Sequence, residues 1–289
     1  MDTAEENFLQ LYSESPASIQ ELDKISNLEY STSGEIFSYT TDSSLKIYSA
    51  TTNSLRNIIS VKIDTMKYFQ NNTVLHSKDN LILYLSIYDN RYMRKFEAHC
   101  DDICSISVNS NSDTFMSVGK ERINLWDIRY QSPVFSLDSN GKLGALSKEY
   151  DYALSDSNFI YIFDWRNDKG PLAVKNIKPN FYQKLWYTGD GACICLSTYK
   201  NHTFLDSQGN FMSNFLLENS CDPDIINESN ILISGSSNYI FSYKIPDKKV
   251  IGRASLQNFE CSTVRTNPVH PQFICATEHQ LKIWNMDAG

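Results

Sequence analysis

The sequence predicts an all-β protein, built as one closed ring of seven four-stranded blades. The first observation behind this prediction is a repeat of about 40 residues. Seven short segments align on one aromatic or large apolar position: LKIYS, LSIYD, INLWD, IYIFD, HTFLD, IFSYK and LKIWN, with Tyr48, Tyr88, Trp126, Phe163, Leu205, Tyr243 and Trp284 at that position. The intervals between these positions are 40, 38, 37, 42, 38 and 41 residues. Such a period is typical of propeller blades.

The second observation is the strand pattern inside each repeat, which is clearest around Trp126-Asp127. Residues 103–110 alternate apolar and polar side chains as a half-buried strand does, and a second strand is predicted over 114–118. The INLWD segment forms the third strand, and residues 132–137 form an outer strand whose proline is tolerated at an edge. No segment shows a convincing helical stripe, so every repeat is expected to be a four-stranded sheet.

The third observation concerns how the ring closes. Five residues follow Trp284, too few for another strand, whereas residues 17–22 precede the strand predicted at 25–30 and belong to no complete blade. We therefore expect residues near Ile19 to pair beside the strand of Trp284, because an open ring would leave two unpaired edges. The domain is predicted to span residues 1–289, with residues 1–16 as an N-terminal arm.

Composition and charge narrow the possible partners. The 289-residue chain is 41% hydrophobic, enough for a large core, and its net charge of −8 provides no overall basic field for nucleic acid. The acidic start MDTAEENF lacks a signal-peptide pattern, and no apolar run approaches the ~20 residues that cross a bilayer. The seven cysteines have neither zinc-ligand nor C-x-x-C spacing, which favours reduced thiols in the cytosol or nucleus. We expect protein partners, without direct binding to nucleic acid or membrane.

The common sequence motifs of catalytic and metal sites do not occur in the chain. The five histidines form no H-E-x-x-H or similar arrangement, and the chain has no G-x-S-x-G, P-loop or G-x-G-x-x-G motif. His99 is interpreted as a structural residue at the start of a blade. The prediction is a non-catalytic protein without metal or cofactor.

Two stretches carry a family resemblance. LYLSIYDNRYMRKFEAHCDDICSISVNSNSDTFMSVGKERINLWDIR (83–129) and the tetrad Asp168-Lys169-Gly170-Pro171 resemble the WD-repeat subunit of COMPASS-type histone lysine methyltransferase complexes. In fungi that subunit is shared with the cleavage-and-polyadenylation factor, and its animal counterpart is also part of a nuclear phosphatase complex. The resemblance is clear over residues 80–172.

What the resemblance implies is a nuclear scaffold, monomeric on its own. Its expected partners are the N-terminal region of the methyltransferase, the scaffold of the 3′-end processing or phosphatase machinery, and the tail of RNA polymerase II. It would thereby link these complexes to the polymerase.

WD repeats also imply a set of structural residues. The resemblance assigns these roles to His99, Trp126, Asp127, Asp42 and Trp284. Asp42 keeps the carboxylate that WD repeats place six residues before the aromatic position, whereas the repeat of Trp126 has Lys120 there. The hydrogen-bond set of His99 and Trp126 is therefore expected to lack its carboxylate.

Three basic residues are the candidate partner-binding site. Lys120 and Arg122 lie in the tight-turn segment of the best-kept repeat, and Lys200 lies in the corresponding segment two repeats later. On one face, the three could hold an acidic or phosphorylated segment by charge-assisted hydrogen bonds. The competing interpretation is ordinary solvated turns, because Asp101, Asp102 and Glu121 are close in sequence.

A second function stays open from the sequence. The Trp-Asp-x-Arg box at 126–129, echoed by Phe-Asp-Trp-Arg at 163–166, would suit a substrate receptor of a cullin-type ubiquitin ligase. In the alternative interpretation, the aspartate hydrogen-bonds locally and the arginine packs on the outer strand.

Overall fold

The part of the chain that can be described covers most of the repeats. The computed structural model describes residues 12–97, 99–100, 102–109, 111–138, 143–147, 151–156, 158–167, 169–177, 182–188, 191–198, 200–217, 221–226, 231–235, 239–245, 247–256 and 259–286, with the backbone alone for 12–16. Ala98, Asp101, Asp168 and most of the predicted arm lie outside these residues.

Seven antiparallel four-stranded sheets make up the described structure, and they confirm the predicted propeller. Blade 1 consists of β2 (Ser26–Tyr30), β3 (Ile36–Thr40), β4 (Leu45–Ser49) and β5 (Leu55–Ile59). Blade 2 consists of β6 (Met66–Gln70), β7 (Thr73–Lys78), β8 (Leu81–Ser86) and β9 (Arg91–Glu97). Blade 3 consists of β10 (Ile103–Val108), β11 (Thr114–Gly119), β12 (Arg122–Asp127) and β13 (Phe135–Asp138). Blade 4 consists of β14 (Leu143–Leu146), β15 (Asp151–Ser155), β16 (Phe159–Asp164) and β17 (Ala173–Asn176).

The remaining blades follow the same order from the inner to the outer strand. Blade 5 consists of β18 (Lys184–Tyr187), β19 (Cys193–Ser197), β20 (Asn201–Asp206) and β21 (Phe211–Leu216). Blade 6 consists of β22 (Asp224–Ile226), β23 (Ile231–Gly235), β24 (Tyr239–Lys244) and β25 (Lys249–Ser255). Blade 7 consists of β26 (Thr263–Thr266), β27 (Gln272–Ala276), β28 (Gln280–Met286) and β1 (Tyr12–Gln20). No helix occurs in the described ranges, and hence none that is long and apolar enough to cross a membrane.

Strand β1 closes the ring as predicted. It pairs antiparallel with β28, with Ile19 opposite Leu281 and Glu14 opposite Trp284. The strand begins at Tyr12, five residues before the segment that the sequence suggested, and its register shifts between Glu14 and Ser18. A bulge here fits Pro16, which has no N–H for the ladder.

One aligned position was assigned wrongly from the sequence. In the pairing of the second and third strands, Leu85 lies opposite Val74, just as Trp126 lies opposite Phe115. Leu85 is therefore the equivalent of Trp126 in blade 2. Tyr88, which the sequence placed there, lies in the turn after β8 and is 86% exposed. The assignment was wrong because most repeats have an aromatic residue at this position, and Tyr88 matched that pattern better than the buried Leu85.

Aromatic packing between neighbouring blades forms much of the core. Trp126 is fully buried, stacks on Phe115 at a centroid distance of 5.7 Å, and meets Phe96 of blade 2 edge-on at 5.3 Å. Such pairs add to the stabilisation from burial alone. Blade 2 therefore packs against blade 3 through Phe96 and Trp126.

The antiparallel order gives the ring two faces. Turns between second and third strands, together with the connections that enter each inner strand, form what is here called the upper face. Turns between first and second strands form the lower face. The inner strands surround a central channel that opens on both faces.

Candidate partner-binding face

The upper mouth of the channel encloses more space than the lower mouth. It encloses about 500 Å³ and is lined by the first residues of the inner strands. The lower mouth encloses about 300 Å³. A concave mouth with turns around it is the usual setting for a binding site on a rigid scaffold.

Ion pairs between blades line this channel. Lys67 of blade 2 pairs with Glu29 of blade 1. Asp222, on the connection into blade 6, accepts from Lys184 of blade 5 at 2.8 Å and from Arg265 of blade 7 at 2.6 Å. One carboxylate thus joins three consecutive blades.

The protonation of Asp222 follows from this arrangement. Its burial alone would raise the pKa of the carboxyl, but the charges and hydrogen bonds of Arg265 and Lys184 outweigh that effect and hold the pKa well below its usual value. Burial lowers the pKa of Lys184, and the nearby Arg265 acts in the same direction. Asp222 and Arg265 remain charged at neutral pH.

The candidate residues Lys120, Arg122 and Lys200 all belong to turns of the upper face. All three are exposed, and Arg122 is the first residue of β12, opposite Asp138. The ammonium of Lys120 pairs with Asp102 at 3.1 Å, so part of its charge is compensated. Blade 4 separates Lys120 from Lys200. The three therefore share a face, but they do not lie on adjacent blades.

The expected hydrogen-bond set of the best-kept blade is present. His99 Nε2 lies 2.7 Å from Ser117 Oγ, and Trp126 Nε1 donates to the same oxygen at 2.9 Å. The side chain of Asn124 lies 3.3 Å from His99 Nε2 and accepts from Ser136 through its Oδ1. Asn124 was not identified from the sequence. Its side-chain amide extends a hydrogen-bond network that in WD repeats usually includes a carboxylate at the position of Lys120.

The other repeat residues differ from this pattern. Trp284 is buried and stacks on Phe273, but its Nε1 has no hydrogen-bond partner among the described residues. The register places Cys275 where blade 3 has Ser117, and a thiol is a weaker acceptor than a hydroxyl. Asp42 lies exposed in the turn after β3, and its charge acts on Lys24.

Both Asp-x-Arg boxes form local ion pairs. Arg129 Nη2 donates to Asp127 at 2.5 Å, and Arg166 Nη2 donates to Asp164 at 2.6 Å, in each case with a second bond from Nε. The backbone N–H of each arginine also bonds the same carboxylate. In both blades the aspartate side chain caps the turn that follows the third strand, on the lower face. This local role explains the Asp-x-Arg spacing.

Within the ranges that the structure describes, no group of three or more His, Cys, Asp or Glu side chains is placed to hold a metal ion.

Comparison with known proteins gives partial matches. No protein-family model matches the chain. It is 28% identical over 199 residues to WD repeat-containing protein 82 of Drosophila melanogaster, covering 61% of each chain. It is 30% identical over 166 residues to Set1 complex component swd2 of Schizosaccharomyces pombe, covering 50% of this chain and 45% of that protein. A third match, 25% over 224 residues, is to Protein ANTHESIS POMOTING FACTOR 1 of Arabidopsis thaliana, covering 70% of this chain and 66% of that protein. Each alignment spans less than two thirds of the relative's length, and the relatives include WD-repeat proteins.

Proposed function

We propose that the chain is a non-catalytic WD-repeat scaffold subunit of a Set1/COMPASS-type histone methyltransferase complex. The observation that carries this proposal is the similarity to Set1 complex component swd2, together with the closed ring of seven blades. A scaffold must hold partners in fixed relative positions. A propeller suits that task because packed blades fix the turns of one broad face.

The upper face supports a role in protein binding. Its mouth is wide, and its charges come from several blades rather than from one loop. An extended segment crossing the mouth would meet side chains of several blades at once. The proposed partner at this face is the N-terminal region of the methyltransferase.

A finer proposal extends the role to transcription. The subunit would be located in the nucleus and would link the methyltransferase, or mRNA 3′-end processing and phosphatase machinery, to the tail of RNA polymerase II. It would be a monomer in isolation, with β1 protecting the edge of blade 7 from other chains. The support for this part is the family resemblance of residues 80–172.

Purification of the tagged protein from its own cells, followed by mass spectrometry, tests the proposal. We expect a SET-domain methyltransferase and its other subunits to be recovered, with 3′-end, phosphatase or polymerase subunits as the finer outcome. A variant with reversed charge on the outer strand of blade 6, Lys249→Glu, should recover the same proteins. Recovery of a cullin adaptor without any chromatin or polymerase factor would contradict the proposal and support a ubiquitin-ligase receptor.

A further inference from the structure

Two cysteines lie in contact between blades 6 and 7, toward the upper face of the ring. Cys221 is on the connection that enters blade 6, and Cys261 is on the connection that enters blade 7. Their Sγ atoms are 3.6 Å apart, although 40 residues separate them in the sequence. Both residues are buried. Since the S–S bond of a disulfide is about 2.05 Å long, the two sulfurs need to approach each other by about 1.5 Å to form one.

The backbone on both sides of this pair is fixed. Asp222 and Thr263 form a parallel bridge, in which Asp222 N donates to Ser262 O at 2.8 Å and Val264 N donates to Asp222 O at 2.9 Å. The amide of Gly235 donates to Cys221 Sγ at 3.3 Å. The two connections are therefore neighbours through their backbones, and the contact between the sulfurs follows from that pairing.

An apolar core surrounds the pair. Cys221 and Cys261 belong to a cluster of buried residues that also contains Phe259, Val264 and Cys275. A disulfide carries no charge and no S–H donor, so its formation leaves no unpaired donor or charge in this core. Cys275, on β27, is a third thiol that forms a hydrogen bond with Cys261. It is the alternative partner of Cys261, and a test of the pair must distinguish it from Cys221.

The surroundings also determine how the thiols react. The hydrogen bond to Cys261, together with burial, raises the pKa of the Cys221 thiol well above its usual value. For Cys261 the hydrogen bond with Cys221 acts in the opposite direction, but the bond with Cys275 and burial outweigh it and raise the pKa. Because the thiolate is the reactive form, we expect the pair to be reduced in the resting protein and to be oxidised over minutes to hours rather than seconds.

A small oxidant has space beside Cys221. The residue lines a cavity of about 240 Å³ on the upper face, which Cys261 does not line. This volume exceeds that of several water molecules, at about 30 Å³ each, so a molecule as small as hydrogen peroxide fits into it. Cys221 is therefore the thiol of the pair that such an oxidant meets first.

We propose that Cys221 and Cys261 are a modification site, at which a peroxide converts the two thiols into one reversible disulfide. In the first step the Cys221 thiolate attacks one oxygen of hydrogen peroxide, the O–O bond breaks, and the departing hydroxide takes up the thiol proton as water. In the second step Cys261 attacks the sulfur of the resulting sulfenic acid, the S–S bond forms, and the S–O oxygen leaves as a second water. Each sulfur loses one electron, and the peroxide gains two.

The disulfide would join blade 6 to blade 7 beside the channel mouth. Asp222, which directly follows Cys221, already accepts from Lys184 of blade 5 and Arg265 of blade 7. The cross-link would close a loop that contains all four strands of blade 6, and it would thereby restrict the unfolded chain. We therefore expect the oxidised protein to resist unfolding better than the reduced one. This property belongs to the isolated chain and does not rest on the proposed scaffold function.

Mass spectrometry of the isolated full-length protein tests the site directly. The reduced protein is treated with hydrogen peroxide, its remaining thiols are blocked with N-ethylmaleimide during unfolding, and the digest is analysed without reduction. We expect the main cross-linked peptide to join Cys221 to Cys261 and to disappear after treatment with dithiothreitol. A main cross-link between Cys261 and Cys275, oxidation of Cys221 to sulfinic acid without a cross-link, or no oxidation of Cys221 would overturn the proposal.

The exposed thiols require a control. Cys100 and Cys104 are exposed and can react before the buried pair. A Cys100→Ser, Cys104→Ser variant should give the same yield of the peptide that joins Cys221 to Cys261. A yield lower by tenfold would mean that the cross-link arises by exchange with the exposed thiols, and would overturn direct oxidation of the pair.

Matched substitutions give a second test, with urea unfolding as the readout. Cys261→Ser removes one thiol of the pair, whereas Cys195→Ser removes a thiol in another core cluster that is equally buried. After peroxide treatment, we expect the urea midpoint to rise in the wild type and in Cys195→Ser, and to stay unchanged in Cys261→Ser. An equal rise in all three proteins would overturn the proposal. If Cys261→Ser does not fold, the cross-linked peptide of the wild type still decides. Neither test uses a partner, so a failure of the scaffold function in cells leaves their result unchanged.

Discussion

The indole N–H of Trp126 donates to the hydroxyl of Ser117 at 2.9 Å, across the pairing of β12 with β11. The same oxygen lies 2.7 Å from His99 Nε2, and all three side chains are buried. The Ser117 hydroxyl therefore forms hydrogen bonds both with Trp126 of the third strand and with His99 on the connection that enters the blade. This link fixes the connection to the body of blade 3.

Removal of that hydroxyl should destabilise the protein. Ser117→Ala leaves the buried polar atoms of His99 and Trp126 without their common partner, at an expected cost of about 1–3 kcal/mol in the free energy of unfolding. Urea unfolding measures this cost. Ser132→Ala, in an exposed turn of the same blade, is the control and should change stability by less than about 0.5 kcal/mol. Equal stability of Ser117→Ala and the wild type would refute the role of the set.

Burial of Trp126 gives the second prediction. Trp126→Ala should cost about 3–5 kcal/mol through lost burial and the cavity that remains. Tyr88→Ala removes a large aromatic side chain that is mostly exposed, so its cost should be below about 0.5 kcal/mol. Comparable costs for the two variants would contradict the alignment that places Leu85, and not Tyr88, in the core.

Closure of the ring predicts the effect of an N-terminal deletion. Without residues 1–22, β28 loses β1 as its partner and becomes an exposed edge. We expect a lower melting temperature and concentration-dependent aggregation, measured by calorimetry and light scattering. A deletion of residues 1–11 leaves β1 in place and should be monomeric. A 1–22 deletion that is as stable and monomeric as the full chain would show that the closing strand is not required.

The buried histidines predict how stability depends on pH. Burial lowers the pKa of His76 and of His202 from 6.5 to about 4. As the pH falls below 6.5, the unfolded chain binds protons that the folded chain excludes. The contribution of these neutral histidines to the free energy of unfolding is therefore fully present above pH 6.5. It is lost as the pH falls toward 4, by about 1.4 kcal/mol per pH unit for each proton that the unfolded chain takes up. Urea unfolding of His76→Gln across this range should show a shallower dependence of stability on pH than that of the wild type. An unchanged slope for His76→Gln would contradict the assignment.

The extent of prediction from sequence differs between the fold and the site. The repeat and its period predicted the blades because each blade must bury the same positions, and Trp126 and Phe163 are retained at one of them. The position of Leu85 could not be found in this way, since a leucine in a β-strand is not distinctive. The period also could not reveal Asp222, because its role depends on Lys184 and Arg265, which are 38 and 43 residues away and meet it only when three consecutive blades pack together.

The carboxylate of Asp222 predicts a further stability effect. Asp222→Asn would leave Lys184 and Arg265 close together without their counter-charge, and breaking such a pair costs about 3–5 kcal/mol when it is fully buried. The side chain of Asp222 is 32% exposed, so we expect a cost of about 3 kcal/mol or less. Asp247→Asn, in an exposed turn of blade 6, is the control. A change in unfolding free energy no larger than that of the control would mean that the triad does not join the blades.

The last prediction concerns Lys120, Arg122 and Lys200 as a contact for an acidic or phosphorylated segment. The three are exposed on the upper face, and Asp102 already neutralises part of the charge of Lys120. A phosphorylated segment must therefore compete with Asp102. Arg122 should contribute more than Lys120, because a guanidinium binds phosphate through two parallel hydrogen bonds. Fluorescence anisotropy with serine-phosphorylated and unphosphorylated polymerase-tail peptides measures this binding.

We expect the wild type to prefer the phosphorylated peptide, and the Lys120→Glu, Arg122→Glu double variant to lose that preference by at least tenfold. Asp102→Asn should strengthen binding, because it removes the competing carboxylate. The Lys95→Glu, Lys249→Glu variant carries the same charge change on outer strands and should bind as the wild type does. Equal binding by the wild type and the Lys120→Glu, Arg122→Glu variant would show that these residues are not a partner site. An equal loss of binding in the control variant would show that the effect comes from net charge and not from the position of the charges.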